Sequence, residues 1–292
     1  MINNNKKIKK TKFALDLKNM GRNITKVFFL AILILAVSSC TKFKKIQKSA
    51  DWRVKYEAAL EYYEEEDYFR AGTLFEEILP IIRGTEEAEL ANFYYAYTYF
   101  HQKQYILSTH YFNLFADVYG RSKYLIEAKY MHAYSLYLQS PEPSLDQTST
   151  YEAIAAIQNF LNRYPQSEYA VKADDLIDEL QVKLEMKAYE NAKLYYKLRR
   201  YKAALVALDN FQYDFPDSKF NEEIAFLAIE TAHDLAQSSI TRVQEERFKS
   251  TMELYLKFID KYPNSEYLKK AEKYYANSIE QLATFADQNK VN

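Results

Sequence analysis

Reactive side chains are sparse in this 292-residue chain, and their spacing matches no catalytic centre. The four histidines, His101, His110, His132 and His233, have neither His-x-x-x-His nor His-Glu-x-x-His spacing. Two imidazoles one helical turn apart are what a helical metal site needs, so no metal is expected. The single cysteine, Cys40, excludes an intrachain disulfide and a cysteine-based zinc site. No Gly-x-Ser-x-Gly elbow is present to hold a nucleophilic serine on a strained turn. Gly21, Gly72, Gly84 and Gly120 are the only glycines, and they lie far apart. A phosphate cradle needs them clustered, so nucleotide loops are excluded. The run Glu64-Glu65-Glu66-Asp67 lacks the alternating oxygen ligands of a calcium loop and reads as a solvated turn. No pair of carboxylates is singled out for glycan hydrolysis. The expectation is a protein that is not an enzyme.

Cys40 is the one side chain whose surroundings specify a reaction. It follows an apolar run of eleven residues, Val27–Val37, which Arg22 and Lys26 precede. Eleven residues cannot cross a hydrocarbon layer of about 30 Å, but they suit the apolar region of a secretion signal. The ending Val37-Ser38-Ser39-Cys40 resembles the lipobox of bacterial lipoproteins. That resemblance implies cleavage before Cys40, diacylglycerol on its thiol and an acyl chain on its new amine, with no other cofactor. Residues 1–39 are then a signal peptide and 40–50 a lipidated linker. Met20 would begin a leader of ordinary length, whereas the nineteen residues before it are long for one. Thr41 and Lys42, not aspartate, follow the cysteine. By the lipoprotein sorting convention this implies the outer membrane. Lys42, Lys44, Lys45 and Lys48 without acidic neighbours favour its periplasmic face. Residues 1–39 hold eight basic residues and one acid, which leaves 31 basic and 39 acidic residues from Cys40 onward. Such a chain is not drawn to anionic lipid by its net charge, so the acyl chains are the expected tether.

The remaining chain must build its elements with little glycine and six prolines, which argues against tight hairpins and for helices. Lys and Arg total 39 against 40 Asp and Glu, too even a balance for a nucleic-acid binder. A phrase recurs: Tyr164-Pro165-Gln166-Ser167, Phe215-Pro216-Asp217-Ser218 and Tyr262-Pro263-Asn264-Ser265, with a weaker copy at Tyr119-Gly120-Arg121-Ser122 and the faintest over Ile82–Thr85. Proline pushes its predecessor out of the helical region, and the hydroxyl can accept from an orphan N–H of the next helix. Upstream of each junction the same register repeats. Small side chains stand at Ala71, Ser108, Ala153, Ala204 and Thr251. Phe75, Phe112, Ile157, Leu208 and Tyr255 follow four residues later, and Ile78, Phe115, Phe160, Phe211 and Phe258 three beyond. Tyr68, Tyr105, Thr150, Tyr201 and Phe248 lie three before. This spacing gathers each set on one helical face.

The pattern resembles the second helix of the tetratricopeptide repeat, whose unit is about 34 residues. The steps here are 37, 45, 51 and 47, so every unit is enlarged. The expected fold is all-α: a right-handed superhelical solenoid of about five enlarged helix pairs, closed by a helix from about Glu266 to Phe285. Residues 51–139 would form N-terminal repeats, 140–150 an insert loop carrying Pro141 and Pro143, and 151–288 C-terminal repeats with the capping helix. Leu176–Leu198 reads as lengthened helix and Ile240–Phe248 as a lengthened connection. In such solenoids the first helix of each pair lines the inner wall. Projecting the repeat frame places Tyr56, Tyr63, Phe93, Tyr97, Phe100, Tyr130, Tyr134 and Tyr137 there, a row suited to an extended peptide with aromatic anchors. The same rings could instead pack between repeats. Lys193, Tyr196 and Lys197 in the fourth pair form a more charged surface for protein docking.

A lipobox ahead of five enlarged repeats with Tyr-Pro-x-Ser junctions resembles the BamD family, lipoproteins of the outer-membrane β-barrel assembly machine. The stretch Ala188–Ala204 carries most of the likeness, which covers about Lys48 to Leu282. The resemblance implies a non-enzymatic scaffold whose C-terminal repeats dock on a BamA-type insertase. Its N-terminal repeats would receive the aromatic C-terminal signal of unfolded barrel proteins, and other lipoproteins of the machine are further candidate partners. A repeat scaffold of a cell-wall or division complex is the alternative.

Overall fold

The computed structural model describes residues 42–291, with side-chain surroundings through Phe285. Cys40, the leader and the start at Met20 lie outside the described residues. Among the described residues there is no strand. After a short helix over 42–47 come α1 (Trp52–Glu64), α2 (Tyr68–Ile78), α3 (Glu87–His101), α4 (Tyr105–Val118), α5 (Leu125–Tyr137), α6 (Thr148–Arg163), α7 (Ala170–Lys197), α8 (Tyr201–Asp214), α9 (Asn221–Gln237), α10 (Thr241–Lys261) and α11 (Leu268–Val291). These are five consecutive pairs and a closing helix. They form two compact units that divide after Ser135, within α5.

In the first unit α1 packs on α2, α2 on α3 and α3 on α4, so each helix buries itself against its chain neighbour. The second unit repeats the scheme from α6 to α11. The repeat register explains why. Ala71, Ser108, Ala153, Ala204 and Thr251 are all completely buried, as are Phe75, Phe112, Ile157 and Leu208. A small side chain lets the partner helix come close, and the larger ones fill the space on either side. Where the small residue is polar it finds a partner: Ser108 Oγ lies 2.8 Å from Ser135 Oγ on α5.

The turns inside the pairs manage without glycine. Glu66, Lys103 and Arg199 take left-handed backbone angles, with φ of 62°, 59° and 55°. Each stands two residues before the aromatic that opens the second helix. Such a residue costs a β-carbon clash of about 1–2 kcal/mol. The turn offsets this by closing on orphan carbonyls of the first helix: Asp67 N–H donates to Tyr62 O (2.8 Å), Gln104 N–H to Tyr99 O (2.9 Å) and Arg200 N–H to Tyr195 O (2.9 Å). Asp67 also caps α2 by accepting from Arg70 N–H at 3.2 Å. The acidic run Glu64–Asp67 is thus the turn between α1 and α2.

Between pairs, Ser122, Ser218 and Ser265 accept from the amides of Tyr124, Phe220 and Tyr267 at 2.9–3.0 Å. They close the turn three residues before the first helical residue instead of standing at its N-cap, a correction to the expected geometry. Ser122 Oγ and Ser218 Oγ also donate to Glu89 (2.6 Å) and Glu185 (2.5 Å) on the preceding first helix. A second correction concerns Ile240–Phe248. α10 already starts at Thr241, so the extra residues lengthen a helix and Phe248 is buried. The run Thr241–Arg247 contains no glycine or proline to stop it. The insert ends at Gln147, whose side-chain amide donates to Glu142 O (2.8 Å) and Leu145 O (3.1 Å).

Phe75 and Phe69 share α2 but differ in burial, the first fully enclosed and the second exposed. Phe75→Ala is expected to lower unfolding free energy by about 3–5 kcal/mol. Phe69→Ala should change it by less than about 0.5 kcal/mol. Urea midpoints of the two variants check both.

Candidate peptide groove and docking surface

The eight aromatic residues expected on the inner wall do stand on first helices, but they divide by burial. Phe93 is 4% exposed and Tyr130 8% exposed. Phe93 stacks on Tyr124 at 4.5 Å and meets Phe112 and Phe115, so it belongs to the packing between α3, α4 and the start of α5. Tyr130 stacks on Tyr134 at 5.8 Å. These two rings are closed to a ligand in this conformation. Tyr56, Tyr63, Tyr97, Phe100, Tyr134 and Tyr137 remain half-buried. Within the first unit, Tyr97, Phe100 and Tyr134 run as neighbours, with centroids 6.2 Å apart for the first two and 5.8 Å for the second two. Tyr56 and Tyr63 pack on the core of the first pair.

The hydroxyls of these tyrosines have a second task. A phenol half out of water keeps its hydrogen bond only if a partner is built in. Tyr97 donates to Glu127 on α5 at 2.5 Å, and Tyr63 Oη lies 3.3 Å from His101 Nε2 on α3. In the second unit Tyr137 donates to Glu179 on α7. Tyr189 on α7 donates to Glu223 on α9 at 2.7 Å, Tyr196 to Asp234 at 3.3 Å, and Tyr274 on α11 to Glu230 at 2.6 Å. Each bond joins the first helix of one pair to that of an adjoining pair, or to the closing helix. Sequence reading missed this series, because the carboxylate lies 30–44 positions away from its phenol. Burial, more than any neighbouring charge, raises the Tyr189, Tyr196 and Tyr274 phenols above their ordinary value. They stay protonated and able to donate.

The expected docking surface needs a similar correction. Lys193 is not available to a partner: its ammonium lies 2.9 Å from Glu223 and 2.6 Å from Tyr189 Oη. Tyr196 is engaged with Asp234. Lys197 is exposed, beside the exposed Leu194, Tyr195 and Leu198. A cavity of about 480 Å³ opens there between the insert residues Glu142–Ser144 and the α7 face from Met186 to Lys197. Lys187 ties its rim by donating to Ser144 O and Leu145 O, both at 2.9 Å. The open surface of the fourth pair is therefore the end of α7 together with the insert.

Two histidines of the first unit are held neutral. Burial lowers His132 below its ordinary value, despite the 3.0 Å contact between its Nδ1 and Thr109 O. Burial likewise lowers His101, which stacks on Tyr68 at 4.2 Å. Among the described residues, no three His, Cys, Asp or Glu side chains gather to hold a metal ion.

Because the folded state resists protonating His132, its stabilisation is complete above the unfolded value of 6.5 and is lost as pH falls below it. The melting temperature should decline from pH 6.5 toward 5, and His132→Gln should flatten that slope. Burial raises the Glu223 carboxyl, but the bonds from Tyr189 and Lys193 outweigh it and hold the group below 4.5. Its contribution is present above 4.5 and lost as pH falls through the folded value. A double-mutant cycle of Tyr189→Phe and Glu223→Gln at pH 7 should give a coupling of about 0.5–3 kcal/mol.

Residues 49–206 and 184–286 match the family model YfiO, described as outer membrane lipoprotein. A curated relative from Aquifex aeolicus (strain VF5), named for outer membrane protein assembly factor BamD, is 27% identical over 209 residues, covering 71% of this chain and 68% of that protein. Among solved structures, a kinesin light chain of Podosopora anserina with nearly identical TPR-like repeats covers 70% of this chain and 94% of its own, at 10% identity and a TM-score of 0.31. That last likeness is too low to weigh. The family match takes in both compact units and all five helix pairs, and the chain belongs to the YfiO family of outer membrane lipoproteins.

Proposed function

We propose that this chain is a lipid-anchored, non-enzymatic scaffold that helps assemble β-barrel proteins at the periplasmic face of the outer membrane. The family match across both units carries the reading, and the assembly-factor name of the Aquifex relative supports its direction. Cys40, outside the described residues, would bear the diacylglycerol and the N-acyl chain. No described helix is long and apolar enough to cross a membrane, so the acyl chains would be the means of attachment.

The two units take different roles. In the first, Tyr97, Phe100 and Tyr134 offer adjoining half-buried rings to the aromatic C-terminal segment of an unfolded barrel protein. Rigid rings that are already packed lose little entropy on binding, which suits them as anchors. In the second, Lys197 and the apolar side chains around it form the surface for a BamA-type insertase, with the insert loop as its rim. Other lipoproteins of the same machine are further partners.

Affinity purification from detergent-solubilised envelopes tests the assignment. A BamA-type insertase should dominate the captured material; cell-wall or division proteins in its place would overturn it. The groove has its own test. The folded double variant Phe100→Ala, Tyr134→Ala should bind a synthetic peptide with a barrel protein's aromatic C-terminus about tenfold more weakly. Unchanged affinity would remove the groove.

A further inference from the structure

We infer that the turn end of the first two helix pairs lies against the phospholipid surface that holds the lipid anchor, with Phe69 and Ile106 entering it. The inference rests on the reading of Cys40 as lipidated. Its geometry is independent of that reading.

The short helix over 42–47 is docked, not a loose tether. Lys42 Nζ lies 3.1 Å from Glu61, the Phe43 ring is 5.8 Å from that of Tyr62, and the Arg70 guanidinium sits 5.6 Å over Phe43. At its other end Gln47 bonds Glu77 near the C-terminus of α2, at 2.8 Å. The helix therefore runs along the first pair, and Lys42 marks the end where α1 turns into α2. The turn between α3 and α4 is at the same end, because Tyr68 at the start of α2 stacks on His101 at the close of α3. Lys42 is two positions after Cys40, with Thr41 between them, a reach of at most about 7 Å. Acyl chains on Cys40 would hold this end at the membrane.

Two large apolar side chains protrude from that end. Phe69 is 69% exposed and Ile106 is 74% exposed. A scattered exposed apolar residue needs no explanation, but these two occupy one repeat position, directly after the aromatic that opens each second helix. The corresponding residues of later pairs are Tyr151, Lys202 and Lys249. The position is apolar in the pairs nearest the anchor and lysine in the last two. Nearby charges are mixed, with Lys42, Arg70 and Lys103 among Glu64, Glu65 and Glu66. Contact then depends on the apolar side chains together with the anchor, as for interfacial anchoring generally.

The full lipidated protein provides the test. With Cys40 acylated, an introduced cysteine is the one reactive thiol. Phe69→Cys and Ile106→Cys are labelled with nitrobenzoxadiazole, alongside Ile81→Cys, just past the far end of α2, and Val118→Cys, at the far end of α4, where the native residues are 63% and 62% exposed. Each is reconstituted on phosphatidylethanolamine-rich vesicles with phosphatidylglycerol, with and without doxyl-labelled lipid. Blue-shifted emission and several-fold stronger doxyl quenching at 69 and 106 than at 81 and 118 are expected. Protein that floats with the vesicles while 69 and 106 stay unquenched, or match the two controls, overturns the contact. Protein that does not float, with Cys40 still reactive, overturns the anchor on which it rests.

Discussion

Everything in this molecule hangs on a close approach made possible by one small side chain per helix pair. Ala71, Ser108, Ala153, Ala204 and Thr251 are wholly buried where a second helix meets its neighbours. A larger residue there would push the helices apart, and the phenyl and aliphatic side chains around it would lose their contacts. Because each pair packs chiefly on adjoining helices, the cost of such a change falls locally, as in other stacked repeats. Gly72 shows how little slack there is: a β-carbon at that position would come within 2.9 Å of Thr98 Oγ1.

The excess of tyrosine now has a physical account. In α3, six of the eight residues from Phe93 to Phe100 are aromatic, so the helix has no wholly polar side. Phenols solve the problem that phenyls could not. Their rings fill space between first helices while their hydroxyls donate to carboxylates on an adjoining helix. The same rings are thus both mortar and candidate binding surface. Those that are half-buried can serve a ligand only without releasing their carboxylates, which favours ring-face contact over hydrogen bonding through the hydroxyl. That is how an aromatic anchor would be gripped.

Much of the fold was legible in the sequence because it recurs. Five matched small–large–large sets and three Pro-x-Ser junctions located the helix pairs, and the lengthened α7 followed from an unbroken run of helix-formers. The errors have specific causes. Phe93 and Tyr130 were indistinguishable from half-buried neighbours because periodicity loses contrast where nearly every position is aromatic. Lys193 looked like surface charge because nothing local reveals that Glu223, thirty residues on, lies opposite it. Ile240–Phe248 reads as a lengthened connection in the repeat frame, although the composition of Thr241–Arg247, free of glycine and proline, favours the helix that forms there. The tyrosine–carboxylate bonds share that difficulty, being tertiary pairs with no fixed spacing.

Whether the half-buried rings of the first unit meet unfolded barrel proteins is most directly read in intact cells. A photoreactive benzoylphenylalanine placed at Tyr134, or at Phe100, reports what touches that strip during export. Crosslinks to newly exported outer-membrane barrel proteins, lost when their terminal aromatic residue is removed, are the predicted result. Crosslinks confined to cell-wall or division proteins, or barrel crosslinks indifferent to that residue, would contradict the account.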